Sequence, residues 1–196
     1  MPSPYMTDPA LLDSLRGQQY VVLRPHAEVA DFYVREQSAV LARVPSLPHP
    51  NSGHVTLRGF FEPERVEALR DRVRSWGAVT PAIELRIEAV DGFPPPFQVV
   101  IARLTRRDSL VDAYTSLTEV LDSTDFRRIG ELPLDEWVFH LSVAYAGELD
   151  GPGWDALLSG YQREIVPAPA ECVSSVDFVW YDDDGEHTER IPLQEP

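Results

Sequence analysis

The chain has 196 residues, 43% of them hydrophobic and 25% charged, enough to bury a sizeable core in one domain or two small lobes without disulfide staples. Thirty-two acidic residues against 17 basic ones give a formal net charge of −15, a field that opposes a broad grip on duplex DNA or long RNA but permits a small anion held by local donors. A single cysteine, Cys172, excludes an internal disulfide and a thiolate metal cage; with no leader-like start and no apolar run of bilayer length, a cytoplasmic location and no membrane association are expected.

Asp8-Pro9 ahead of ALLDSLR and Gly17 predicts a short capped helix. QYVVLRP, 19–25, predicts a strand ended by proline, and residues 27–44 carry a helical apolar stripe of Val29, Phe32, Tyr33, Val40, Leu41 and Val44. A proline-rich loop leads into HVTLRGFF, 54–61. Strict alternation along that strand sends Val55, Leu57, Gly59 and Phe61 to the core and His54, Thr56, Arg58 and Phe60 to the other face. EPERVEALRDRVRSWG then predicts a helix closed by Gly77. IELRIEAV and FQVVIARL predict a hairpin turned at Asp91-Gly92 and a proline-rich tip. Residues 108–122 predict a helix with Asp108 as its cap.

The second half repeats this order. In VFHLSVAY, 138–145, Phe139, Leu141, Val143 and Tyr145 alternate with His140, Ser142 and Ala144. A helix over about 153–165 and a hairpin turning at Asp184-Gly185 follow. The sequence therefore predicts a single bilobal domain over 1–196 with pseudo-repeats at about 54–104 and 138–193. The fold class is α+β: a two-lobed duplicated fold with antiparallel sheets, helices outside, and a central cleft faced by both polar rows.

Two such rows form a kit for displacement at phosphorus. Imidazole gives or takes a proton near neutral pH, so His54 and His140 supply a base and an acid for one turnover. Thr56 and Ser142, two residues along each strand, lie on the same face and can hold the equatorial oxygens. Arg58 adds a charge-assisted donor in the first row only. Tyr20, Trp180 and Tyr181 are candidates for stacking on a base, although strand aromatics more often pack in the core. His26, His49 and His187 fall in loops or at a strand edge and take no catalytic role. A zinc site on His54 and His140 lacks a third ligand, and Asp182-Asp183-Asp184 reads as a solvated hairpin tip, so neither metal nor cofactor is expected.

HVTL at 54–57 and HLSV at 140–143 resemble the paired His-x-Thr/Ser-x motifs of the two-histidine (2H) phosphoesterase superfamily, the group of 2′-5′ RNA ligase-like proteins and cyclic nucleotide phosphodiesterases. The resemblance implies a bilobal α+β fold and a metal-independent hydrolase acting on a 2′,3′-cyclic phosphate or a 2′-5′ linkage. It also implies catalytic His54 and His140 and phosphate-binding Thr56 and Ser142. The partner expected is a small nucleotide or phosphate ester, RNA ends included. Two other readings use the same residues. One is a module of this fold that binds phosphate or nucleotide without turnover, and the other is an acidic protein that recognises a basic partner.

Overall fold

The structure, a computed structural model, describes residues 3–194. The elements follow the apolar patterning closely: α1 (Pro9–Leu15), β1 (Gln18–Leu23), α2 (Glu28–Arg43), β2 (Val55–Phe61), α3 (Val66–Gly77), β3 (Ile83–Phe93), β4 (Val99–Leu104), α4 (Asp108–Asp122), β5 (Arg128–Ile129), β6 (His140–Tyr145), α5 (Gly151–Ser159), β7 (Arg163–Glu164), β8 (Ala170–Val173), β9 (Ser175–Asp182) and β10 (Gly185–Pro192). Asp8 caps α1, accepting from the Ala10 and Leu11 amides, and Gly17 ends it with a φ of 78° that favours glycine. Asp150 caps α5 in the same way. That helix stops at Gly160 and not at 165, because residues 163–164 leave it to pair with β3 as a short strand.

All pairings are antiparallel, and the strands run in the order β10-β9-β1-β2-β6-β4-β3-β7, with β5 on β2 and β8 on β3. The two expected sheets thus join edge to edge at a narrow seam, where Val55 of β2 faces Leu141 of β6. The hairpins cross over. β3–β4, which follows the first motif, lies against the second motif strand, while β9–β10 reaches the first motif strand through β1.

Apolar residues of α2 to α5 cover one face of this sheet and make the main core, with Phe32, Leu69, Trp76, Leu117 and Trp154 against Val21, Leu57, Ile87, Val100, Leu141 and Phe178. The opposite face is polar along the seam and carries a second, smaller apolar cluster of Tyr5, Met6, Val22, Val179 and Tyr181, with α1 packed on it through Leu11, Leu12 and Leu15.

Strict alternation fails at one position in each motif strand. Thr56 pairs with Val22 but Arg58 with Val21, which leaves Leu57 as the extra residue of a β-bulge. Ser142 pairs with Ile101 but Ala144 with Val100, which leaves Val143 as the extra residue of a second bulge. An inserted residue reverses the parity of everything after it. Arg58, Phe60 and Ala144 therefore enter the core, at 1%, 0% and 0% exposure, while Phe61 and Tyr145 turn to the other face. The facing expected for Gly59, Phe60, Phe61, Ala144 and Tyr145 is inverted for this reason. The first hairpin also differs from its sequence reading. β3 runs through Asp91-Gly92 to Phe93, and the turn is made by residues 94–98. Gly92 is a packing position, since a Cβ there would come within 2.8 Å of the Trp154 ring.

Candidate active site

Before the bulges, alternation holds, and the seam register does the rest. With Val55 opposite Leu141, continuing the pairing by one residue in each direction sets His54 across from Ser142 and Thr56 across from His140, all on the face away from the helices. Side chains directly opposite have Cβ atoms about 5 Å apart, and diagonal ones such as the two histidines about 7–8 Å. One phosphate spans such a gap. His54, Thr56 and Ser142 line a cavity of about 150 Å3 together with Tyr5, Tyr20, Tyr145 and Tyr181. His140 packs edge-on against Phe93, with ring centroids 4.8 Å apart.

Both imidazoles are oriented by the same device. His54 Nδ1 lies 3.0 Å from the Ser52 carbonyl oxygen and His140 Nδ1 lies 2.8 Å from that of Val138. A carbonyl oxygen only accepts, so Nδ1 carries the proton in each ring and Nε2 keeps its lone pair. The chain reaches His54 through Gly53, where a Cβ would fall 2.7 Å from the Tyr33 ring, so the approach to the first histidine is set by a residue without a side chain.

Burial pushes His54 down to about 4, and the Arg24 guanidinium, with His140 whenever that ring is protonated, pushes the same way, against the Ser52 hydrogen bond. Burial also lowers His140. At neutral pH both are therefore free bases before substrate binds. For folding, the downward shift means that between about pH 6.5 and 4 the unfolded chain binds a proton at His54 that the folded chain does not. Its contribution is fully present above that window and is lost as the pH falls through it. Thermal melts at pH 7 and pH 4.5 test this: His54→Gln lowers Tm less between the two pH values than the wild type does. Equal drops would show that His54 does not titrate in this way.

The rest of the cavity is lined by neutral tyrosines, and the Tyr20 hydroxyl donates to Gln18. Burial raises the Tyr20 phenol to about 12 and raises Tyr5, Tyr145 and Tyr181 as well, so all four hydroxyls stay protonated. Tyr5 Oη donates to Asp177 Oδ2 at 2.7 Å and Tyr181 Oη to Glu186 Oε2 at 3.2 Å. Cations stand one strand further out, in matching positions. Arg103 of β4 pairs directly with His140, and extending the β1–β2 register by one residue places Arg24 beside His54. Each is met by an aspartate on the third strand: Arg24 Nε to Asp177 Oδ2 at 2.9 Å, and Arg103 Nη1 to Asp91 Oδ2 at 2.8 Å. Asp177 lies across Val22 from Thr56, and Asp91 across Ile101 from Ser142. The two motifs thus sit in matching Arg–Asp frames.

Two residues expected at the site are elsewhere. The Leu57 bulge turns Arg58 away from the cleft and into the core. There Nη1 donates to Tyr114 Oη at 2.7 Å and lies 3.2 Å from Glu131 Oε1, and Nη2 donates to Thr118. Its charge is already paired and it holds no substrate. Trp180 pairs with Gln19, one register position off the cleft set. It packs on the helix face, stacked on His187 at 5.1 Å and close to Arg70. Tyr20 and Tyr181 do reach the cavity. Among the described residues, no group of three or more His, Cys, Asp or Glu side chains is arranged to hold a metal ion, and no helix is long and apolar enough to cross a membrane. Tyr5, Arg24, Tyr145 and Asp177 are site residues that the sequence reading misses. Only Arg24 carries a signal, as the cation ending a strand that would neighbour the first motif.

Structural comparison finds the same fold in proteins of low identity. TT0787 of Thermus thermophilus superposes with a TM-score of 0.67 at 15% identity, over 90% of this chain and 98% of that one. Escherichia coli LigT complexed with 3′-AMP gives 0.56 at 12% identity, over 92% and 100%. Kluyveromyces marxianus Usb1 with uridine monophosphate gives 0.55 at 11%, over 90% and 99%. None of the curated proteins matches the chain by sequence. The family model for the 2′-5′ RNA ligase superfamily matches residues 41–185, a span that holds both histidine motifs and both bulges. The chain belongs to that superfamily, the two-histidine phosphoesterases.

Proposed function

We propose that the protein is a phosphodiesterase that opens a 2′,3′-cyclic phosphate or cleaves a 2′-5′ phosphodiester of a nucleotide or small phosphate ester, with His54 and His140 as its general base and acid. The observation that carries this reading is the shared orientation of the two rings, each with Nδ1–H tied to the carbonyl two residues upstream and Nε2 left for proton transfer. In the hydrolytic case Nε2 of one imidazole takes a proton from water as the water oxygen bonds to phosphorus. The opposite P–O bond breaks, and the leaving oxygen takes its proton from the second imidazole.

That second imidazole must be cationic when the leaving oxygen departs, whereas burial keeps both neutral before substrate binds. A bound phosphate anion supplies the missing partner and lifts one histidine back toward protonation. Thr56 and Ser142, with Tyr145 beside Ser142, offer hydroxyl donors to the equatorial oxygens. Holding the anion with neutral donors suits a chain whose net charge of −15 repels polyanions.

Hydrolysis of a panel of 2′,3′-cyclic nucleotides, 2′-5′ dinucleotides and cyclic dinucleotides tests the proposal. Turnover of at least one class is expected, with a bell-shaped pH dependence and no loss in EDTA. Absence of turnover across the panel, with tight binding of the same ligands retained, would favour a binding module of this fold.

A further inference from the structure

The proposed activity admits two substrate shapes. A 2′-5′ dinucleotide carries a nucleoside on either side of phosphorus, whereas in a 2′,3′-cyclic phosphate both bridging oxygens belong to one ribose and the opposite side receives only water. We infer that Tyr5 and the chain around it wall off the His54 side of the cleft, so that the protein takes phosphate esters with a single bulky group, entered from the His140 side. This rests on the phosphodiesterase reading and narrows its substrate.

Tyr5 is 1% exposed, and its ring stands edge-on to the His54 ring with centroids 4.9 Å apart. Its other contacts fix it there. The Arg24 guanidinium lies 3.8 Å from the ring centroid, and the hydroxyl donates to Asp177. The backbone is held as firmly as the ring. The Tyr5 and Met6 amides donate to the two carboxylate oxygens of Glu186 at 2.7 and 2.9 Å. The Asn51 amide donates to the Tyr5 carbonyl at 2.7 Å, and the Asn51 side chain to the Pro4 carbonyl at 2.9 Å. Met6 and Leu15 complete this side of the cavity.

The His140 side is built differently. The flank of that ring is Phe93, at the end of β3. Beyond it the turn 94–98 presents Phe97 at 71% exposure. On this inference the ribose and base lie against the Phe93 flank of His140. The cavity that Tyr5 borders, lined by residues of both motif strands, measures about 150 Å3, about half the lower bound of roughly 300 Å3 for pockets that hold a drug-sized ligand, which suits a phosphate and an attacking water but leaves no room beside Tyr5 for a second nucleoside. The proton path follows. Water gives its proton to His54, its oxygen bonds to phosphorus, the bond to one ribose oxygen breaks, and that oxygen takes a proton from His140 to leave a ribose phosphomonoester.

The test compares kcat/KM of the full chain for a 2′,3′-cyclic mononucleotide and for 2′-5′ adenylyl-adenosine. The cyclic substrate is expected to be favoured by about 100-fold or more, the scale on which a site rejects a group it cannot seat. Glu186→Ala removes the acceptor of the Tyr5 and Met6 amides. It should raise dinucleotide turnover about tenfold and leave the cyclic rate within about threefold. Wild-type rates for the two substrates within about threefold of each other overturn the inference, whatever the variant does. A calorimetric titration with adenosine 3′-phosphate and with the dinucleotide decides the case without turnover. If neither substrate is hydrolysed but the mononucleotide binds much more tightly, the catalytic reading falls and the wall stands; equal affinities overturn the wall.

Discussion

His54→Ala and His140→Ala are each expected to lower turnover of a 2′,3′-cyclic nucleotide by about 10²–10⁴-fold, the usual worth of a positioned acid or base, with both variants folded. Each ring is half-buried at the cleft and makes one hydrogen bond to a carbonyl, so its removal costs about 1 kcal/mol and opens no large cavity in the core. In the proposed scheme the two groups share one proton transfer, so the double variant is expected to be far less than multiplicatively worse. Steady-state rates with circular dichroism on the same preparations separate the two effects. A His140→Ala protein that is folded and fully active would sink the paired mechanism.

Asp177→Ala is expected to destabilise the fold by about 3–5 kcal/mol, because removing one member of a buried ion pair strands the other. Asp177 is 1% exposed and receives Arg24 Nε at 2.9 Å, Arg190 Nε at 3.2 Å and the Tyr5 hydroxyl at 2.7 Å. Arg24 is itself largely enclosed and finds its only other hydrogen bond among the described residues at the Ser3 carbonyl. Asp13→Ala removes an exposed partner of Arg16 and serves as the control, at under about 1 kcal/mol. Urea unfolding measures both. A loss at Asp177 no larger than at Asp13 would mean that water takes over the role of the carboxylate.

Strands, helices and the pairing of the two motifs are legible because local patterning determines them. His54, Thr56, His140 and Ser142 precede the bulges, and alternation places all four on the cleft face. Arg58 fails for a physical reason that no window of sequence contains. The parity after Leu57 depends on how β1 pairs with β2, and Val21 and Val22 carry no mark of it. Trp180 fails for a related reason, since both faces of β9 are largely apolar, and only the β1–β9 register decides which side the indole takes. Asp91-Gly92 looks like a turn and is still strand, one residue short of the end of β3, because three consecutive prolines downstream, Pro94, Pro95 and Pro96, make the reversal instead. The Tyr5 wall and the Arg–Asp frame around His54 join residues more than 150 positions apart, which patterning cannot foresee. The two motifs point to the superfamily, and the strand registers decide what surrounds them.

The crossing of the hairpins also constrains how the chain can acquire its shape. β1, at Gln18–Leu23, is flanked by β2 on one side and by β9, at Ser175–Asp182, on the other. Until residues 175–192 have left the ribosome, β1 is an unpaired apolar edge, a template for association with other chains. The half of the sheet that holds His54 closes last, through contacts of high sequence separation, and such topologies fold slowly. Synthesis from one end therefore gives the His140 half its neighbours first, and one edge of the first strand stays open to association with other chains for the interval in which it waits for the ninth.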